Sequence, residues 1–89
     1  MNNREMAEEI AEILFRSALQ FRADEPLSAP VKIKLSLGEE IIISPIASGK
    51  EWESALPNGE KAIYSVQLLQ QQEAITKTAI IEDILVFLM

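Results

Sequence analysis

The sequence predicts an α+β domain in which one N-terminal amphipathic helix packs on a small antiparallel sheet, or a partly open barrel, of about five strands. Apolar residues up to Phe21 recur at three- and four-residue steps, whereas from Val31 to Met89 they alternate at every second position. The hydrophobic period therefore switches once, from that of a helix to that of a strand. A chain of 89 residues holds one domain, divided here into a helix at about 3–22, a linker at 23–30 and strands over 31–89.

Met6, Ile10, Ile13, Leu14, Ala18 and Phe21 form the helix stripe, widened by Ala11, Phe15 and Leu19. Glu5, Glu8, Glu9, Glu12, Arg16 and Gln20 hold the opposite side. Asn2 followed by Glu5 has the spacing of a capping box, and the acids of the first turns suit the positive end of the helix dipole. Glu12 and Arg16 can pair across one turn. Pro26 and Pro30 then forbid helix continuation and preset extended backbone.

Val31, Ile33, Leu35 and Leu37 alternate with Lys32, Lys34, Ser36 and Gly38, which predicts the first strand and a reversal at Gly38-Glu39-Glu40. Ile41-Ile42-Ile43 starts a β-branched second strand that Pro45 should stop or bend. Ser48-Gly49 is the next turn, and a third strand from Lys50 to Leu56 ends at the turn Pro57-Asn58-Gly59. Ala62, Tyr64, Val66 and Leu68 predict a fourth strand. Gln70-Gln71-Gln72-Glu73 contains no residue typical of a turn, so a helix over Lys61 to Ala74 competes with a hairpin, which the alternation on both sides favours. Ile75, Lys77, Ala79 and Ile81 alternate again, and the apolar run Ile80 to Met89 is expected as a final strand in the core.

Composition narrows the chemistry. With no cysteine and no histidine, the chain has no disulfide framework, no thiolate nucleophile and none of the commonest general base or transition-metal ligand. The net charge of −6 is spread evenly, because residues up to Pro26 carry six acids and three bases and the rest carry eight acids and five bases. That sign opposes unspecific attraction to phosphate backbones or anionic lipid. No apolar run reaches the ~20 residues of a membrane span, and the N-terminal residues do not resemble a signal peptide, so a cytoplasmic location is expected.

The paired carboxylates Glu8-Glu9, Glu39-Glu40, Glu51/Glu53 and Glu82-Asp83 lack calcium-loop spacing and are expected as solvated edges, with no metal and no cofactor. Gly38, Gly49 and Gly59 stand singly, which excludes a glycine-rich phosphate loop. The expectation is that the chain is not an enzyme. Lys32 and Lys34 form the one local basic pair on the sheet, without an aromatic platform between them. Trp52 and Tyr64 combine apolar bodies with polar tips, as interfaces favour, although core burial is the commoner fate of such residues.

Val31-Lys32-Ile33-Lys34-Leu35-Ser36-Leu37-Gly38-Glu39-Glu40 resembles the first hairpin of the small Sm-like and SH3-like barrels, and Ile81-Glu82-Asp83-Ile84-Leu85-Val86-Phe87 resembles their closing segment. The resemblance implies a helix-first barrel. Sm-like proteins carry RNA-contacting Arg-Gly or Lys-His pairs near the closing strand, and Glu82-Asp83 stand there instead. An acidic barrel also resembles small proteins that inhibit transcription terminators or phage-defence complexes by filling a basic groove. The leading expectation is a non-catalytic binding or regulatory module acting on a protein partner through Trp52, Tyr64, Glu51 and Glu53. The alternatives are a small oligomeric nucleic-acid or nucleotide binder using Lys32 and Lys34, and a subunit whose helix or final strand completes a homo-oligomer.

Overall fold

A computed structural model describes residues 2–22 and 24–89; Ala23, the first residue of the expected linker, lies outside them. Helix α1 (Asn3–Ala18) precedes strands β1 (Val31–Lys34) and β2 (Glu40–Ile46), a single 3-10 turn at Ala47–Gly49, β3 (Glu51–Ala55) and β4 (Lys61–Ser65), and the chain continues as α2 (Val66–Gln70) and α3 (Ala74–Leu88). The strands form a four-stranded antiparallel meander in the order β1-β2-β3-β4. It is an open sheet, so the expected five strands and the barrel closure implied by the Sm-like and SH3-like resemblance are both corrected.

Helix α1 begins where its sequence says it should, with the Asn2 side chain accepting a hydrogen bond from the Glu5 backbone N–H at 2.8 Å. Seven of its residues, from Met6 to Ala18, are buried, and Arg16 pairs with Glu12 at 2.6 Å on the solvent side. On the sheet, strand alternation sends Ile41, Ile43, Trp52, Ser54, Ala62 and Tyr64 inward. All of these but the polar Ser54, together with the buried residues of α1, belong to one apolar core. Lys32, Lys34, Ile42 and Ile63 point the other way and are exposed.

Pro45 does not stop β2. Its register partner is Trp52 on β3, while β1 reaches only as far as Ile43. The proline therefore sits where β2 is locally an edge, and its missing donor leaves no ladder bond broken. β1 is shorter than expected because Leu35 leaves the strand to pack in the core, its N–H bonding the Glu39 carbonyl at 2.6 Å. At Pro57-Asn58-Gly59 the turn forms as expected, with Gly59 at φ +89°.

The C-terminal third holds the main corrections. β4 ends at Ser65, whose side chain accepts from the Leu68 N–H at 3.1 Å and so caps α2. The competing helix over Lys61 to Ala74 is thus present only as the single turn and a half of α2. Gln72 adopts a left-handed φ of +58°, which separates α2 from α3, and its side chain donates to the Phe15 and Leu69 carbonyls at 3.1 and 2.9 Å. The expected strands over Ile75 to Ile81 and Ile84 to Leu88 are instead one helix, α3. It runs antiparallel to α1: Asn3 near the start of α1 reaches the Leu88 carbonyl, and Gln72 before α3 reaches Phe15 near the end of α1. Only Ile80 and Ile84 of α3 are buried, so the final segment caps the core from outside and is not a strand within it. No helix among the described residues is long and apolar enough to cross a membrane.

Candidate functional site

The sheet divides the residues singled out from sequence. Trp52 and Tyr64 face each other across β3 and β4 on the inner side, at 1% and 9% exposure. Phe21 meets the Trp52 ring edge-on, with centroids 5.5 Å apart. Glu53, Lys32 and Lys34 lie on the outer side, and Glu51 shares that alternation at the end of β3. The rings therefore do not share a surface with Glu53, Lys32 or Lys34, and Glu51 alone of these charges lines a cleft together with Trp52.

The outer sheet face carries charge of both signs. Lys61 pairs with Glu53 at 2.9 Å and Lys32 with Glu40 at 3.7 Å. Lys34 stands directly across from Glu40 in the β1–β2 register. Acid and base offset one another there, so the face has no single-sign field with which to select a strongly basic or acidic partner. No group of three or more acidic side chains is arranged to hold a metal ion among the described residues.

Tyr64 ties the sheet to α3. Its hydroxyl donates to the Asp83 carboxylate at 3.5 Å. Burial, reinforced by the nearby Asp83 charge and that hydrogen bond, raises the phenol pKa well above its ordinary value. The neutral phenol is the form that the folded chain holds, which suits a structural strut and not a proton donor near neutral pH.

Two other places have the shape of a surface that binds. The outward face of α3 exposes Ile75 and Val86 at 78% and 68%, with Met89 just past its end at 85%, and Ala79 and Glu82 are exposed between them. Arg4 of α1 reaches Glu82 at 2.6 Å. The second place is a cleft of about 650 Å³ between the chain leaving α1 and the turn that joins β2 to β3, lined by Phe21, Arg22, Leu27, Lys50, Trp52 and Val66 among others.

Comparison with protein-family models, curated proteins and solved structures found no match. The chain's own geometry is therefore what bears on its function.

The outward residues of α3 carry a helical signal in the sequence as well. Ile75, Ala79, Glu82, Val86 and Met89 are spaced 4-3-4-3, the heptad step of a helix–helix seam. That step competes with the two-residue alternation of Ile75, Lys77, Ala79 and Ile81 in the same stretch. Nothing local separates the two periods in a segment whose polar residues, Thr76, Lys77, Thr78, Glu82 and Asp83, fall on no single face.

Proposed function

We propose that the chain is a non-catalytic protein-contact module that works through the outward face of α3, and that the surface seated on it is the same face of a second copy. The observation that carries this reading is a largely apolar α3, its charges confined to Lys77, Glu82 and Asp83, that is covered on one side only, by α1 and the sheet. Here Ile75, Val86 and Met89 are among the most exposed large apolar residues of the chain, and they lie on one face with Ala79 and the Arg4–Glu82 pair between them, an apolar patch with a polar centre of the kind that interaction surfaces carry.

Self-pairing is favoured by the symmetry of the stripe. Ile75 and Met89 each lie seven residues from Glu82, roughly 10 Å along the axis on either side. Two α3 helices laid antiparallel about an axis at Glu82 would set Ile75 against Met89 of the second copy and Ala79 beside its Val86. Such a contact uses one patch twice, as two-fold interfaces do. Glu82 would be a poor centre alone, since two carboxylates would meet. Each arrives with Arg4 already at 2.6 Å, so guanidinium and carboxylate alternate across the axis. The absence of histidine and cysteine supports a contact role over a catalytic one.

Sedimentation or light scattering on the whole chain tests the proposal. A dimer at micromolar concentration that becomes a monomer in Val86→Glu, with the far-ultraviolet circular dichroism unchanged, is the expected outcome. A monomer for the unaltered chain, or a dimer indifferent to Val86→Glu and to Ile75→Ser alike, overturns it.

A further inference from the structure

From the cleft beside Trp52 we infer a second, independent binding site, one for a small organic anion with an apolar body. Its volume of about 650 Å³ falls within the range of small-molecule pockets. Phe21, Leu27, Val66 and Trp52 supply the apolar lining, and Arg22 and Lys50 supply positive charge.

Those two cations are, with Lys34 and Lys77, the bases among the described residues that no ion pair engages. Among the described residues, ion pairs engage Arg4, Arg16, Lys32 and Lys61, whereas Arg22 and Lys50 take none. Glu51 is the one acid on the same wall, so the lining keeps an excess of positive charge against the chain's net −6. An apolar hollow with a few convergent charges selects ligands that are apolar at one end and anionic at the other.

The walls are built and braced. On one side Ala47 and Ser48 hold left-handed φ values of +51° and +58°, a costly conformation for residues with a Cβ and one kept only where the surroundings dictate it. Gly49 follows at φ +83°, and a Cβ there would stand 2.6 Å from Pro26 Cβ, so the turn is seated directly against the opposite wall. That wall is anchored by Gln70, whose side-chain amide donates to the Ala18 and Phe21 carbonyls at 3.0 and 2.8 Å. The Val66 N–H bonds the Lys50 carbonyl at 2.9 Å and closes the base. At the floor, the buried Trp52 Nε1 has no hydrogen-bond partner, whereas buried donors are normally satisfied. A cleft fixed in this way keeps its shape before a ligand arrives, which lowers the cost of binding.

Octanoate is the probe, with 1-octanol and inorganic phosphate as the two halves of its chemistry, read by calorimetry and by emission of Trp52, the single tryptophan. Octanoate is expected to bind and to change Trp52 emission, at least about tenfold more tightly than either octanol or phosphate. Arg22→Gln/Lys50→Gln, both at exposed positions, should weaken octanoate by about tenfold or more while leaving octanol unchanged. No binding of octanoate, equal binding of octanol or phosphate, or an unaffected double variant overturns the site. Because the cleft shares no residue with the α3 stripe, its failure leaves the proposed dimer untouched, and the converse holds.

Discussion

Helices α1 and α3 are nearly equal in length, 16 and 15 residues, pack side by side, and use their surfaces in opposite ways. α1 buries one apolar stripe and sets glutamates and arginines against water. α3 buries only Ile80 and Ile84 and leaves apolar side chains facing out. The first is built as a lid for a core, and burying its stripe exhausts its apolar surface. The second serves the core with one side and keeps the other available. Two helices in one layer thus separate stability from contact.

Truncating each helix on its characteristic face should break the comparison if it is wrong. Leu14→Ala, at a fully buried position of α1, should cost about 2–5 kcal/mol in urea unfolding, because it removes packed atoms and leaves a cavity. Val86→Ala should move the midpoint of a chain kept monomeric by dilution by less than about 0.5 kcal/mol. Comparable losses at the two positions would mean that the outward face of α3 is part of the fold. A smaller effect separates the helix starts. Asn2→Ala removes the side-chain cap of α1 and should cost about 1 kcal/mol. Glu73→Ala, at the start of α3 where no side-chain cap bond exists, should shift thermal unfolding far less.

The alkaline limb of stability reports how α3 is held to the sheet. The folded-state pKa of Tyr64 is raised, so its contribution is fully present below about pH 10, the ordinary phenol value, and declines above it as the unfolded chain ionises first. In Tyr64→Phe the stability lost between neutral pH and pH 11 should be smaller than in the unaltered chain, by the share that belongs to this phenol. Identical alkaline slopes would show that Tyr64 is not held neutral against Asp83.

The comparison also explains which elements the residues revealed. α1 was legible because its polar and apolar residues segregate at helical spacing and its start carries Asn2 and Glu5 in register. The three hairpin turns were legible from Gly38, Ser48-Gly49 and Pro57-Asn58-Gly59, since turn dihedrals admit few residue types. α3 was not, because Ile, Val and Phe favour strands by propensity and the polar residues Thr76, Lys77, Thr78, Glu82 and Asp83 are scattered around the helix, so no period is decisive. The Sm-like and SH3-like resemblance inherited that ambiguity: its first hairpin segment forms β1 and the turn into β2, while its closing segment, Ile81 to Phe87, lies within α3. Neither binding place could be read locally. The cleft needs Arg22, Lys50 and Val66 brought together from three parts of the chain, and the α3 stripe shows as a surface only once α1 has taken the other side.

By itself, then, the amino-acid order determined the helix-first α+β class, the β1–β4 turns and the lack of histidine and cysteine chemistry, all of them set by near neighbours or by composition. Tertiary structure alone decided that residues 74–88 form a helix, that Trp52 and Tyr64 lie inside while Lys32, Lys34 and Glu53 lie outside, and that the sheet stays open. The physical reason is that a largely apolar segment with no segregated polar face gains as much by burial in one backbone form as in the other. Packing against α1 and the Tyr64 contact to Asp83 favour the helix, and with it the face left over for a partner.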